Sequence, residues 1–363
     1  MDTQLSQLSL VNDHTGATSN PIYLATAYQH PKLGESTGFD YTRTKNPTRS
    51  QFEQAFAELE GGTSSLGTSS GMAAIQLVCN LFKPQDEILV SFDLYGGTFR
   101  LFDFYTRQYN INFKYVDFTD VEAVKKQMTS STKAFFIEPI TNPSMTKAPL
   151  DSLINIAKYN DITTIIDNTF LTPYLSQPLK KGADIVIHSA TKYIGGHNDV
   201  LGGVVTVNDE ELGNKLAEYH NMIGATLSPI DSYLLIRGLK TLHLRVDRAQ
   251  ENASKLAEYF TDHTAINDVL YSGQTGMLSL RLKEGYSVAQ LLESVNLCTF
   301  AESLGGTETF ITFPYTQTHA DMPEEELEAR GIDKQLIRLS VGTESYEDIK
   351  NDLNQALINS YTK

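Results

Sequence analysis

The chain has 363 residues, is 40% hydrophobic and carries a formal net charge of −15 at pH 7. That length exceeds one ordinary core and suits one large and one smaller domain. The negative charge argues against a nucleic-acid backbone as partner, and no apolar run approaches the roughly 20 residues of a membrane-spanning helix.

The opening stretch, MDTQLSQLSLVNDHTGATSN, has no basic start and no apolar segment behind it, so it carries no signal-peptide pattern. Residues 1–50 are rich in Thr, Asn, Gly, Pro and Tyr with little periodicity, the mark of an irregular arm. Phe52, Phe56 and Leu59 then recur at helical spacing in RSQFEQAFAELEGG, which Gly61 and Gly62 close. Cys79 and Cys298 lie far apart in apolar contexts. They read as buried small hydrophobes of a reducing compartment, not as a disulfide or metal pair. A globular cytoplasmic protein is expected.

From there short apolar runs alternate with helical stretches. The runs are DEILVS (Asp86–Ser91), NFKYVDF (Asn112–Phe118), KAFFIEP (Lys133–Pro139), TTIIDNT (Thr163–Thr169) and ADIVIHS (Ala183–Ser189). Between them stand SGMAAIQLVCNLF, GGTFRLFDFYTRQY, DVEAVKKQM and LDSLINIAKYN. This order predicts an α/β domain, residues 51–238, with a mostly parallel sheet covered by helices. A boundary falls near SPIDSYLLIRGLKTL (Ser228–Leu242). Beyond it a long amphipathic helix ending at Phe260, strands in GMLSLRL, TETFITFP and QLIRLSVG, and a last helix in SYEDIKNDLNQALINSY predict a smaller α+β domain, residues 239–363.

In open parallel sheets, ligands bind beyond the carboxyl ends of the strands. Several runs here end in reactive side chains: Asp167-Asn168-Thr169, Glu138-Pro139 with Asn142 beyond, Tyr95-Gly96-Gly97, and HSATKYIGGHND with Lys192. TSSGMAAIQLV places Ser69, Ser70, Gly71 and Met72 at a helix start, where free N–H groups and the dipole favour a phosphate. Any one of these is ordinary: a serine cap, a turn aspartate, a surface lysine. No dinucleotide or P-loop glycine motif is present. His188 and His197 fit no usual metal-ligand spacing and have no cysteine or acidic set beside them, so no metal is expected. Together, a lysine able to condense with an aldehyde, an aspartate for a ring nitrogen, an aromatic cover and a phosphate cradle are what pyridoxal phosphate needs.

At this point the ordered set GFDYTRTKNPTR, SSGMAAI, DLYGGTFRLF, TNP, IIDNTF, HSATKYIGGHND, AESLGGTETFITFP and IRLSVGTES resembles the pyridoxal-phosphate enzymes of cysteine and methionine metabolism. Those include cystathionine γ-synthases, γ- and β-lyases and O-acylhomoserine sulfhydrylases. The resemblance spans nearly the whole chain. It implies a fold-type I transferase whose large domain holds a mostly parallel seven-stranded sheet. It also implies that Lys192 tethers the cofactor and shuttles protons, Asp167 pairs with the pyridine nitrogen and Tyr95 stacks on the ring. Gly71 and Met72 N–H groups with the Ser189 and Thr191 hydroxyls would hold the phosphate. Tyr41 and Arg43 in the arm would reach the phosphate of a neighbouring subunit. An active dimer, and by family habit a homotetramer, follows. Arg338 would grip the substrate α-carboxylate, with Asn142 and Ser303 beside it and Asn142 also near the cofactor.

Three residue choices bear on the reaction within that family. Glu302 stands where γ-acting members tend to have Glu and β-lyases an aromatic residue. Gly97 stands where methionine γ-lyases carry cysteine. Asp40 and Arg100 resemble residues lining the distal substrate pocket of γ-synthases. The expected reaction is γ-replacement on acetyl- or succinyl-homoserine with cysteine, giving cystathionine, or with sulfide, giving homocysteine, in methionine biosynthesis. The alternatives are a cystathionine γ-lyase or β-lyase and, from another class, a binding protein that kept the fold. Asn198 stands where many relatives have serine, without an evident reason.

Overall fold

Asn46 starts the first long helix, Pro47–Glu60: its side chain accepts the Thr48 and Arg49 N–H groups, Pro47 takes the first turn, and Gly61 at φ 78° ends it. Phe52, Phe56 and Leu59 are all fully buried. The chain is described from a computed structural model, which covers residues 1–8, 15–317 and 324–362.

Seven strands form the larger sheet: β1 (Ser64–Thr68), β2 (Glu87–Ser91), β3 (Asn112–Val116), β4 (Thr132–Ile137), β5 (Thr163–Asp167), β6 (Ile185–Ser189) and β7 (Gly203–Val207). Their order is β1-β7-β6-β5-β4-β2-β3. β2 to β6 fall on the five predicted runs. β1 and β7 are additions. β1, with sequence SSLGT, has no β-branched run to mark it; its backbone is held by antiparallel pairing with β7. β7 also runs antiparallel to β6, and the other pairings are parallel. The mostly parallel seven-stranded sheet is therefore present.

Alternation along the strands sorts two buried faces. Ile88, Val90, Phe136, Ile165, Ile187 and Val205 meet the helices Gly71–Cys79 and Gly96–Tyr109. Leu89, Phe135, Ile137, Ile166 and Val186 meet Leu153, Ile154 and Ala157 of the helix Leu150–Tyr159. Cys79 and Cys298 are both free and buried, as expected.

The segment Ser228–Leu242 is itself largely helical: Pro229–Leu239 buries Leu235 and Leu239 in one cluster with Phe52, Phe56 and Ile194. A second sheet contains β8 (Ile266–Leu270), β9 (Met277–Leu282), β10 (Thr299–Phe300), β11 (Phe310–Thr312) and β12 (Leu336–Ser340), in the order β10-β11-β12-β9-β8. β8 and β10 are further additions: INDVL alternates too weakly to be read, and β10 is only two residues long. The helices Leu242–Thr261 and Tyr346–Asn359 cover this sheet through Leu256, Phe260, Ile349 and Leu353.

Because β1, β2, β4, β5 and β6 are mutually parallel, their carboxyl ends deliver Ser69-Ser70, Asp93, Glu138, Asp167 and Ser189 to one edge. No helix among the described residues is long and apolar enough to cross a membrane.

Candidate active site

That edge opens into a cavity of about 210 Å³. Of the expected residues, Gly71, Met72, Tyr95, Asn142, Asp167, Ser189, Thr191, Lys192, Glu302, Ser303 and Arg338 all line it. Tyr41, Arg43, Asp40 and Arg100 do not.

The phosphate side is built by the start of helix Gly71–Cys79. The Ser70 hydroxyl caps it by accepting the Ala73 N–H at 3.1 Å. Among the described residues, no acceptor takes the Gly71 and Met72 N–H groups. A Cβ on Gly71 would lie 2.7 Å from the Ser189 Cβ and 2.8 Å from its Oγ. The glycine thus lets two N–H groups and a hydroxyl converge on one point, which suits an anion. Thr191 is partly committed elsewhere: its hydroxyl accepts the Gly202 N–H at 3.0 Å and donates to the Gly202 carbonyl at 3.2 Å.

Asp167 stands at the end of β5. Its Oδ1 accepts the Thr169 N–H at 3.1 Å and the Thr169 hydroxyl at 2.5 Å. The other oxygen has no hydrogen-bond partner among the described residues. Burial raises its pKa, against the Thr169 hydrogen bonds and His188. A cation placed at that oxygen would offset the burial, as a protonated pyridine nitrogen does.

Lys192 follows β6 and donates to the Ser303 hydroxyl at 3.5 Å. Burial, with Arg338 adding to it, pushes its pKa down to about 8. The turn behind it is locked. Arg245 donates to the Tyr193 and Gly238 carbonyls, each at 2.7 Å, and its guanidinium fills the space where a Cβ of Gly196 (φ 75°) would project. Asn198 now has an account: it sits at φ 55°, a conformation Asn tolerates, and donates to Glu308 at 2.8 Å. It ties the turn to the loop that carries Ser303.

Arg338, on β12, is 2% exposed. It donates to Asn142 Oδ1 at 3.1 Å, and to the Ser303 carbonyl and Thr312 hydroxyl at 3.2 Å each. Among the described residues, its Nε has no partner and no carboxylate pairs with it. Burial lowers its pKa to about 10. A buried guanidinium with an open donor and no counter-ion is a fixed fork for a planar carboxylate.

Tyr95 is exposed on the cavity wall, and its ring covers Gly97, where a Cβ would collide with it. Its N–H donates to Glu138 at 3.2 Å. Glu138, Thr169, Phe170, Ile140, Leu201 and Leu304 also line the cavity and were not among the expected site residues. Glu138 is visible in the sequence as a strand-end acid; the apolar wall gives no signal distinct from core. Behind Asp167, His188 meets Glu60 at 2.5 Å, both fully buried.

In the arm, Arg43 donates to the Asn221 carbonyl and lies over the Tyr41 ring, 5.7 Å from its centroid. Asp40 accepts from Ser36 at 2.6 Å, and Arg100 is exposed on helix Gly96–Tyr109.

These residues fit pyridoxal phosphate: an anion cradle, an unpaired acidic oxygen, an aromatic cover and a lysine with a depressed pKa share one cavity. Gly71, Met72 and Ser189 could hold its phosphate, Asp167 could pair with its ring nitrogen and Lys192 could reach its aldehyde.

The family description Cys/Met metabolism PLP-dependent enzyme matches residues 2–358. A cystathionine gamma-synthase/O-acetylhomoserine (thiol)-lyase of Bacillus subtilis is 52% identical over 358 residues, covering 98% of this chain and 96% of that protein. A cystathionine gamma-synthase of Haemophilus influenzae is 51% identical, covering 99% and 98%. The crystal structure of cystathionine gamma-lyase from Lactobacillus plantarum complexed with L-serine superposes with a TM-score of 0.96 at 38% identity, over 99% of this chain and 98% of that one. The chain therefore belongs to the Cys/Met metabolism family of pyridoxal-phosphate enzymes, with the fold-type I architecture and an activity of the cystathionine synthase/lyase type.

Proposed function

We propose that the enzyme catalyses γ-replacement on an O-acylhomoserine, with cysteine as nucleophile to give cystathionine and with sulfide to give homocysteine. The observation that carries this reading is Glu302, an exposed carboxylate lining the cavity next to Ser303, with Arg338 buried deeper. A cavity with a guanidinium below and a carboxylate at its rim suits two amino acids in turn. Arg338 takes the α-carboxylate of the acylated substrate, and Glu302 receives the ammonium of an incoming cysteine. The name of the Bacillus subtilis relative, which covers both the synthase and the thiol-lyase reaction, supports allowing either nucleophile.

When bound, the cofactor accepts electrons from the substrate Cα. The chain does the rest. Arg338, Asn142 and Ser303 fix the carboxylate and so aim the Cα–H bond. Lys192, its amine free once substrate is bound, would take the Cα proton, pass it on, and then take a proton from Cβ; its depressed pKa raises the share of neutral amine near physiological pH. The Cγ–O bond breaks, the acyl carboxylate leaves with the electron pair, and the thiolate sulfur forms the Cγ–S bond. Tyr95 would cover the ring face, and Asp167 would keep the ring nitrogen protonated.

Assembly is part of the proposal. Ile22, Tyr23, Leu24, Leu33 and Tyr41 of the arm are exposed, and so is Leu201 at the cavity wall, 60% exposed. A second copy laid over this face would cover them and bring its own Tyr41 and Arg43 to the phosphate site. A homo-oligomer, dimer at least and tetramer by family habit, acting on small amino acids in the cytoplasm fits.

Cystathionine cleavage is the second reading: a γ-lyase and a γ-synthase superpose on the chain equally well, each with a TM-score of 0.96 at 38% identity, so the same fold accommodates either reaction. A product assay on acetyl- and succinyl-homoserine, each with cysteine and with sulfide, tests the proposal. Release of the acyl group with a thioether or thiol product supports it; no acyl release under any combination overturns it.

A further inference from the structure

Glu138 forms part of two cavities. It lines the catalytic cavity, and it also lines a second cavity of about 270 Å³ bounded by Asp93, Asp117, Thr141, Ser144, Thr146 and Arg330. It is 8% exposed. Its Oε1 accepts the Tyr95 N–H at 3.2 Å, and its own N–H donates to the Ser91 hydroxyl at 3.1 Å.

No cation pairs with Glu138 among the described residues. Lys192 and Arg338 face the first cavity but donate to Ser303 and to Asn142, Ser303 and Thr312. Arg330, at the second cavity, pairs with Glu326 at 2.8 Å and donates to the Phe92 carbonyl at 2.9 Å. The charges that act on Glu138 are carboxylates: Asp167 from the end of β5 and Asp93 from the loop after β2. Burial and then Asp167 raise its pKa well above the ordinary range; the Tyr95 N–H opposes them, and Asp93 adds to the rise. Two ionised carboxylates side by side in such a place are disfavoured, so one keeps its proton.

The second cavity offers a path for that proton. Asp93 is buried, its Oδ2 accepts from the Ser144 hydroxyl at 2.5 Å, and its Oδ1 has no partner among the described residues. Hydroxyls of Thr141 and Thr146 share the same space. An unpartnered buried carboxylate oxygen in a polar cavity is where water is expected.

We propose that Glu138 holds a proton at neutral pH and exchanges it with solvent through the second cavity, by way of Asp93 and Ser144. Apart from Glu302 at the rim, the catalytic cavity then keeps one anion, the buried Asp167, for the ring nitrogen, even while substrate fills its mouth. The proposal does not depend on whether the enzyme replaces or cleaves.

Infrared difference spectroscopy on the cofactor-loaded enzyme reads the proton without turnover. At neutral pH the wild-type enzyme shows the carbonyl stretch of a buried, protonated carboxylic acid, and Glu138→Gln removes it. Asp93→Asn keeps the band but slows its shift in heavy water at least about tenfold. In the wild type the shift proceeds at the same rate when norleucine, which has no leaving group, occupies the catalytic cavity. Absence of the band in the wild type, or its loss in Asp93→Asn with survival in Glu138→Gln, overturns the proton-holding role of Glu138. A shift that norleucine blocks, or that Asp93→Asn leaves unchanged, overturns the route.

Discussion

Arg338 and Asn142 are joined at 3.1 Å although 196 positions separate them in sequence. The bond links the second sheet to the loop after β4. The Ser279 hydroxyl, on the neighbouring strand β9, donates to the Pro143 carbonyl at 2.8 Å and reinforces the same contact. Removing the guanidinium leaves the substrate carboxylate without its fork. Arg338→Ala is expected to lower kcat/KM about 100-fold or more, and Arg338→Lys to recover little of it, because an ammonium cannot match the bidentate geometry. Retained cofactor absorption in both variants shows that the fold survives; kcat/KM within a few-fold of wild type in Arg338→Ala would remove Arg338 from substrate binding.

Lys192 sets a pH limb. Its pKa, pushed down to about 8 chiefly by burial, means the ammonium form dominates below that value and the neutral base above it. Only the neutral form removes a proton. In the enzyme–substrate complex kcat is expected to rise about tenfold per pH unit below this limb and level off above it. A rate that falls as pH rises from 7 to 9 contradicts this assignment.

Gly71 is expected to serve the cradle rather than a turn. Its Cβ would lie 2.7 Å from the Ser189 side chain, so Gly71→Ala must displace the hydroxyl or the helix start. Overpacking of this kind costs roughly 1–3 kcal/mol, which weakens cofactor binding about tenfold or more if it falls on the cradle. Titration of the cofactor-free variant with pyridoxal phosphate measures it, and unchanged affinity places the phosphate elsewhere.

Sites shared between chains complement each other. Arg43→Ala and Lys192→Ala proteins are each expected to be nearly inactive. Co-expressed, they form mixed dimers with one intact site, restoring roughly a quarter of wild-type activity for random pairing. If Arg43 serves only its own chain, the mixture stays inactive.

Much of the site was readable because parallel strands concentrate reactive residues at their carboxyl ends. Asp167, Lys192, Ser189 and the Gly71 helix start are local features of that edge. Arg338 and Ser303 carry no local mark, since their meeting with Asn142 depends on how the second sheet docks; only the likeness to a family pointed to them, whereas Asn142 was legible just beyond a strand end. β1 escaped notice because SSLGT owes its strand to the backbone of β7, not to its side chains. Ile140, Phe170, Leu201 and Leu304 are apolar and look like core until a cavity is seen beside them. Glu138 showed its chemistry but not its position between two cavities.

The direction of the reaction is tested most directly by one comparison in a single enzyme preparation: kcat/KM for O-acylhomoserine with cysteine, followed by acyl release, against kcat/KM for cystathionine alone, followed by 2-oxoacid formation. With Glu302 at the rim receiving the ammonium of cysteine, replacement should exceed cleavage at least about tenfold. Cleavage that equals or exceeds replacement would contradict the synthase reading and make the enzyme a lyase.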